Sequence, residues 1–165
     1  MNRTLATMLT MTTYGTWLRG DARGWVDDGV VKPPCPLLQE SDRKKMKHPS
    51  FFFAEQEFLN VGRFIGESLT SRLNQHILGL TVQTWHVHLI VGTTQEPLPN
   101  IVKCTKDAVR WGLRLNRPIW TEGYDKRFCF DEQSVRHRIE YVQRHNLDSG
   151  LSARPWSFIE VPEFV

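Results

Sequence analysis

The sequence has no apolar run long enough for a membrane-spanning helix, and it has few cysteines. Its 165 residues contain no stretch of about 18 apolar side chains, and its N-terminus lacks the charged start, apolar middle and small-residue cleavage site of a secretory signal. The three cysteines, Cys35, Cys104 and Cys129, are odd in number and widely spaced, which favours reduced thiols over a disulfide framework or a zinc ribbon. We therefore expect a cytoplasmic protein with no membrane partner.

Internal repeats, low-complexity tracts and a large excess of one charge are also absent from the sequence. There are 21 Lys and Arg residues against 18 Asp and Glu residues, giving a formal net charge of +3. This mild basicity is compatible with a polyanionic partner but does not require one. The length and the hydrophobic content of 40% are sufficient for one buried core. We predict a single domain over residues 1–165.

The spacing of apolar residues predicts an α+β fold. In chain order the predicted elements are a strand over 4–12, a helix over 54–75, strands over 77–83 and 86–93, a helix over about 99–117, a strand near 126–130 and a helix over about 132–146. Residues 14–50, rich in glycine and proline, are predicted to be an irregular or short-helical insertion. This order fits a ferredoxin-like split βαββαβ sheet with an additional C-terminal helix.

Two histidines interrupt an otherwise apolar strand, HVHLIVG. In an extended strand His86 and His88 point to one face, while Val87 and Leu89 point to the other. Two imidazoles at this spacing can converge on one metal ion, and a third ligand would complete the site. The alternative is a pair of histidines that hydrogen-bond to neighbours on a half-exposed face. If Val87 and Leu89 face the helices, the histidines lie on a face that is open or covered by the last helix.

The last predicted helix has a polar arc that is separate from its apolar stripe. At about 100° per residue, Arg138, Tyr141 and His145 fall within roughly 60° of arc, together with Ser134. An apolar stripe about a quarter-turn away can dock the helix; it consists of Val135, Ile139 and Val142. A tyrosine outside that stripe, beside an arginine that favours its phenolate, can act as a nucleophile. The alternative is an amphipathic surface helix with a tyrosine at its boundary.

The helix predicted over 99–117 has a stripe of positive charge. Five cations at spacings of three and four fall within about 80° of arc at the helical period: Lys103, Lys106, Arg110, Arg114 and Arg117. Only Asp107 lies at the edge of this stripe, so it lacks the mixed signs of a salt-bridged surface. We interpret the stripe as a track for nucleic-acid phosphates.

Five segments in chain order resemble one protein family. They are YGTWLRGD (14–21), His86-Val87-His88, IWTEGYDKRF (119–128), YVQRHNLDSGL (141–151) and ARPWSF (153–158). Together they resemble the single-tyrosine HUH transposases of small insertion sequences, where HUH denotes histidine, a bulky apolar residue and histidine. The greatest similarity is to the REP-associated tyrosine transposases.

The resemblance implies a metal-dependent endonuclease and strand transferase that acts on single-stranded DNA during transposition and recognises REP-like hairpins. Tyr141 is expected to form a covalent 5′-phosphotyrosine intermediate. The expected metal ligands are His86, His88 and His145, for Mg²⁺ or Mn²⁺. The expected DNA-binding residues are the five cations of the stripe, Arg138, Trp17, Arg19 and Arg23. Relatives either exchange the tyrosine helix between subunits or keep it in one chain, so a homodimer is one of two expected arrangements.

The sequence departs from the family at the third ligand. The tyrosine block usually continues with three residues, an asparagine and a proline, and an asparagine or glutamine is the ligand. Here those positions hold His145 and Asn146. His145 is the expected ligand; Asn146 is the alternative oxygen ligand, but it lies about 100° round the helix from Tyr141. Imidazole suits ions from Mn²⁺ to Zn²⁺ better than Mg²⁺. Two alternatives therefore stay open: a domesticated hairpin-binding protein without catalysis, and a zinc hydrolase in which three histidines hold a water-activating ion.

Overall fold

The computed structural model describes residues 3–165. Its strands are β1 (Ala6–Thr12), β2 (Trp25–Asp27), β3 (Val30–Lys32), β4 (Ile77–Val82), β5 (His86–Gly92) and β6 (Asp125–Cys129). Its α-helices are α1 (Pro36–Lys45), α2 (Phe58–Leu73), α3 (Leu98–Gly112) and α4 (Glu132–Asp148), and a 3₁₀ turn at Glu55–Glu57 precedes α2. No helix in this part of the chain has both the length and the apolar character needed to cross a membrane.

The main sheet has the strand order β4-β5-β1-β6, and each neighbouring pair is antiparallel. If the small β2–β3 hairpin is set aside, this is the split βαββαβ arrangement, and α4 follows the last strand. The prediction of an α+β ferredoxin-like fold with an additional C-terminal helix is therefore confirmed.

Both faces of the sheet are covered by helices. Val87, Leu89 and Val91 of β5 are buried in one core with the apolar residues of α2 and α3. Ile90, which points to the opposite face, is buried with Val142 and the rest of the apolar stripe of α4. Both faces of β5 are therefore packed, and α4 covers the face that carries His86 and His88.

The helix predicted over about 99–117 is shorter than expected. α3 ends at Gly112, and Arg114 has a left-handed backbone with φ 54°. Its N–H donates to the carbonyl of Trp111 in a turn rather than continuing the helix. Gly112 packs against the ring of Phe64, where a Cβ would overlap the ring. Residues 113–117 therefore do not extend the helical face, and the prediction that the helix reaches 117 was wrong.

The segment 14–50 is more ordered than predicted. It contains the β2–β3 hairpin and α1. The hairpin turns at Asp28 and Gly29, whose φ angles are 47° and 76°. Two successive positive φ angles are typical of the tight turn that an Asp-Gly pair forms between short strands. The prediction of an irregular insertion was wrong for the hairpin, whereas the helical part was expected.

The segment after α4 returns to the sheet and to α2. Ile159 forms a parallel bridge with Ile77 of β4. The rings of Trp156 and Phe158 lie directly over two glycines of α2, where added Cβ atoms at Gly62 and Gly66 would overlap them. The indole N–H of Trp156 also donates to the carbonyl of Leu59 at 2.9 Å. These contacts fix the chain after α4 against the opposite side of the sheet.

Candidate active site

Three histidines from two elements converge on one point. His86 and His88 come from β5, and His145 comes from α4. One ligand-capable atom of each lies within 4.8 Å of the corresponding atoms of the other two. The ring centroids are 4.6 Å apart for His86 and His88, 6.0 Å for His86 and His145, and 5.6 Å for His88 and His145. The structure thus brings together the three residues that the sequence predicted as metal ligands.

Tyr141 lies beside this cluster on the solvent side. Its ring centroid is 4.6 Å from that of His145, one helical turn away, and 5.4 Å from that of His88. The Tyr141 side chain is 43% exposed, whereas His88 is only 7% exposed. α4 adopts this orientation because Asp131 caps its first turn by accepting from Ser134 N, and its apolar stripe is buried.

The strand histidines are held neutral at neutral pH. Burial, reinforced by the neighbouring His145 and Arg23, lowers the pKa of His86 to about 4. Burial, reinforced by His86, His145 and Arg138, lowers the pKa of His88 to about 3. A neutral imidazole is the form that binds a metal ion.

The cluster fits a metal ion. Nδ1 of His86 and Nε2 of His145 are buried and have no hydrogen-bond partner within residues 3–165. A buried polar atom without a partner is costly, and a bound cation would supply the missing interaction. Three imidazole nitrogens also form a common donor set for first-row divalent metals.

The low pKa values of His86 and His88 predict acid sensitivity of the metal-free protein. In the unfolded chain a histidine titrates near about 6.5, so the unfolded state binds more protons than the folded state between that pH and the folded pKa values. The free energy of unfolding should therefore be greatest above about pH 6.5 and decrease as the pH falls towards 4, by a few kcal/mol in total. Urea unfolding at pH 7.5 and pH 5, with chelator present, measures this difference.

The matched control for acid sensitivity is His76→Gln, because His76 has an exposed side chain and pairs only with Glu160. This variant should lose stability in acid as the parent does, whereas His86→Gln should lose less. Equal free energies of unfolding at the two pH values in the parent would contradict the prediction.

Asn146, the alternative oxygen ligand, is held by its amide nitrogen. Its Nδ2 donates to the carbonyl of Leu80 at 2.9 Å and to the carbonyl of Ala153 at 3.2 Å. The side chain is 1% exposed. Asn146 therefore joins α4 to β4 and to the segment after α4 through its Nδ2, while its Oδ1 is buried and has no hydrogen-bond partner within residues 3–165.

A cleft of about 790 Å³ opens in front of Tyr141 and His88. Its other walls come from β1, the loop before β2, β2, the loop before β6, β6 and α4; they include Thr10, Thr12, Trp17, Val26, Glu122, Tyr124 and Arg138. Arg138 and Tyr141 also line a second cavity of about 350 Å³ on the outer side of α4. The two residues therefore form the ridge between two open spaces.

Arg138 is the unpaired cation at this ridge. Within residues 3–165 it has no carboxylate partner at ion-pair distance, whereas the other arginine of the cleft, Arg127, contacts Asp125 at 3.0 Å. Arg138 is half-buried, so its charge is less screened than that of a fully exposed arginine. A phosphate at the ridge would meet a guanidinium that is not already neutralised by a carboxylate, beside the tyrosine.

The two arginines predicted in the loop 14–25 are already paired. Arg19 forms a two-point contact with Asp42, and Arg23 forms one with the buried Asp21. The guanidinium of Arg23 also lies 4.3 Å from the ring centroid of Trp17 and 4.9 Å from that of Trp85. Arg23 therefore fixes the loop against the residue that precedes His86, and Trp17 remains as an exposed ring in the cleft.

The predicted basic stripe on α3 does not form one continuous face, because the helix ends before Arg114. Lys103 is paired with Asp107. Lys106 is half-buried, donates to the carbonyls of Thr121 and Gly123, and has its pKa lowered by burial. It thus holds the loop that forms one wall of the cleft.

The two predicted cations beyond α3 lie outside any helical stripe. Arg117 donates to the carbonyl of Pro49, and its guanidinium lies over the rings of Tyr14 and Phe51. Arg114 occupies the left-handed turn after α3, and Arg110 remains exposed on the last turn of the helix. The prediction that the five cations share one helical face was therefore wrong, and their contact with DNA phosphates stays a prediction.

Two supporting residues were not predicted from the sequence. Gln83, just after β4, donates to the carbonyl of His145 at 3.3 Å and contacts the hydroxyl of Ser149. Thr10 of β1 contacts Nδ1 of His88 at 2.8 Å. Both contacts depend on strand register and helix docking. A threonine in a strand and a glutamine in a turn carry no recognisable signal by themselves.

Comparison with known proteins shows the fold. The sequence matches no protein-family model and no curated protein. The structure is similar to that of a REP-associated tyrosine transposase bound to a REP hairpin, with a TM-score of 0.53 and 12% identity over 94% of this chain and 76% of the other. The chain therefore has the fold of a REP-associated tyrosine transposase, as its motifs predicted.

A second structure is more distant. It is a crystal structure of a protein from Deinococcus radiodurans R1 that is provisionally named a transposase. The TM-score is 0.43, and the identity is 16% over 86% of this chain and 91% of the other. This superposition is too weak to add to the comparison.

Proposed function

We propose that the protein is a metal-dependent nicking and joining enzyme for single-stranded DNA, of the transposase type, and that it recognises DNA hairpins. The observation that carries the proposal is the position of an exposed tyrosine, Tyr141, directly against two histidines of the cluster, His88 and His145, at the edge of an open cleft that Tyr141 and His88 line. The hairpin bound to the similar REP-associated transposase supports the choice of DNA form.

In the proposed reaction the Tyr141 oxygen attacks the scissile phosphorus in line. A new bond forms between the tyrosine oxygen and phosphorus, and the bond between phosphorus and the 3′ oxygen breaks. Tyr141 loses its proton, and the departing 3′ oxygen gains one. The products are a 5′-phosphotyrosine and a free 3′-hydroxyl. Because the energy of the phosphodiester is conserved in the covalent bond, a second 3′-hydroxyl can reverse the step and join strands.

The three histidines are the proposed holders of a divalent cation. When bound, such an ion acts as a Lewis acid on a phosphate oxygen. His86 and His88 enter as neutral ligands because burial lowers their pKa values. Since all three donors are nitrogens, we propose Mn²⁺ as a better activator than Mg²⁺, which prefers oxygen.

Arg138 is the proposed partner of the DNA at the cleavage point. It has no carboxylate partner in the described part of the chain, and it lines both cavities that Tyr141 lines. Its positive charge favours the binding of a phosphate next to Tyr141. The DNA strand has room to continue on either side of the ridge. The exposed ring of Trp17 in the cleft offers a surface on which an unpaired base can stack.

The proposed site uses residues of one chain, because α4 packs on its own sheet through an apolar contact and through Asn146. The phosphates of the hairpin stem are proposed to contact exposed cations outside the cleft, including Arg110 and Arg114. Arg19 and Arg23 contribute by holding the loop in place rather than by direct ion pairs, since both are already paired.

A direct test uses a pool of 3′-labelled single strands that carry hairpins with randomised flanks. The pool is incubated with the protein in Mg²⁺ or in Mn²⁺ and separated on a denaturing gel. We expect label that migrates with the protein, more of it in Mn²⁺, and sequencing of the adduct gives the cleavage site. Shortened label that is free of protein would favour the zinc hydrolase. Binding in a parallel shift assay without any cleavage would favour the hairpin-binding protein without catalysis.

A further inference from the structure

Strand β1 carries a threonine hydroxyl that contacts His88, one of the candidate metal ligands. Thr10 Oγ1 lies 2.8 Å from Nδ1 of His88. We propose that Thr10 is a positioning residue that keeps the proton of His88 on Nδ1, so that Nε2 is the atom that binds the metal. This inference rests on the proposed metal site.

The contact follows from strand register. Thr10 of β1 and His88 of β5 are directly paired in the antiparallel ladder, so their side chains leave the sheet on the same face. His88 is buried and Thr10 is half-buried, so little water competes for Nδ1. The Thr10 hydroxyl is therefore held next to Nδ1 of His88. The orientation of the imidazole ring depends on the pairing of two neighbouring strands as well as on the side-chain torsions of His88.

The chemistry of imidazole gives this contact a directional consequence. A neutral histidine has one N–H and one lone pair, and the partner of one nitrogen determines the role of the other. When the threonine oxygen accepts from Nδ1–H, the lone pair is on Nε2. Histidines that bind metals almost always donate their second ring N–H to an oxygen, and removal of such a partner typically weakens metal affinity about 10- to 100-fold.

Thr12 provides a matched comparison on the same strand and the same face. It is paired with His86 in the ladder. Within residues 3–165 Nδ1 of His86 has no hydrogen-bond partner, so the Thr12 hydroxyl does not contact it. The two threonines therefore share a strand, a face and a residue type, and they differ in whether the hydroxyl contacts Nδ1 of the paired histidine.

Metal affinity tests the proposal. We compare the parent with Thr10→Val, Thr10→Ser and Thr12→Val by titration with Mn²⁺ and Zn²⁺ in the absence of DNA. Thr10→Val should weaken binding about 10- to 100-fold, Thr10→Ser should restore it, and Thr12→Val should leave it unchanged. An unchanged affinity in Thr10→Val would overturn the proposal. Absence of metal binding in the parent would instead overturn the proposed metal site.

Nuclear magnetic resonance of the metal-free parent gives a second measurement, which requires no substituted protein. Long-range correlations between ring protons and nitrogens distinguish the two neutral forms of His88. We expect the proton on Nδ1. A proton on Nε2 would mean that the threonine hydroxyl donates to Nδ1, which would overturn the proposal even if Thr10→Val did not fold.

Discussion

Replacement of Tyr141 by Phe is expected to abolish formation of the covalent DNA adduct and to reduce strand cleavage by about 10⁴-fold or more, because it removes the proposed attacking oxygen. Hairpin affinity should change little, since the ring and the surrounding cations remain. Tyr141 is 43% exposed, so loss of its hydroxyl leaves no buried partner without a hydrogen bond and should not destabilise α4. Adduct formation on a denaturing gel and a shift assay on the same hairpin measure the two effects separately.

The matched variant is Tyr124→Phe, because Tyr124 is the other tyrosine that lines the cleft. It removes the same atom from the same space, and the adduct should persist. Persistence of the adduct in Tyr141→Phe, together with its loss in Tyr124→Phe, would assign the nucleophile to Tyr124. Cleavage by both variants would remove the tyrosine mechanism altogether.

Replacement of His145 by Ala is expected to lower the cleavage rate by about three orders of magnitude, equivalent to roughly 4 kcal/mol of activation free energy. The two strand histidines alone leave the ion with too few protein ligands to be held in one position. Replacement by Gln exchanges the nitrogen donor for an oxygen donor. His145→Gln should therefore retain cleavage and shift the preference from Mn²⁺ towards Mg²⁺. Cleavage rates measured across a series of concentrations of each ion test both expectations.

His76→Ala serves as the control for the histidine substitutions, since His76 is exposed and contacts Glu160 away from the cluster. Its metal dependence should match that of the parent. Full activity of His145→Ala in both ions would remove His145 from the ligand set, and the third ligand would then have to come from the DNA or from solvent.

The sequence predicted the fold and the composition of the candidate site because both follow from local periodicity. The alternation in HVHLIVG separates His86 and His88 from the buried valines, and the stripe that ends at Val142 orients Tyr141 away from the core. Helical spacing places His145 one turn from Tyr141. These relations depend only on the geometry of a single strand or helix, which residue type and spacing determine.

The sequence did not predict features that depend on how elements meet. α3 ends at Gly112, and a left-handed turn follows at Arg114, whereas helical spacing alone continued the cationic stripe past this point. The pairing of Thr10 with His88 depends on register between strands far apart in the chain. The hairpin at Asp28-Gly29 was detectable, because an Asp-Gly pair between valines is a strong hairpin signal, but the glycines and prolines around it led to the prediction of a loop.

The helix that carries Tyr141, α4, is held in place at both of its ends. Two residues separate its start from β6, and its C-terminal side is joined to the sheet by Gln83 and Asn146. The rings of Trp156 and Phe158 over Gly62 and Gly66 then hold the following segment on the far side of the molecule. In the proposed reaction the nucleophile is therefore stationary, so an incoming 3′-hydroxyl has to travel to it. The flexibility needed for strand exchange must therefore come from unpaired nucleotides of the DNA. The length of these nucleotides, rather than movement of the protein, determines the shortest hairpin flank that can be joined.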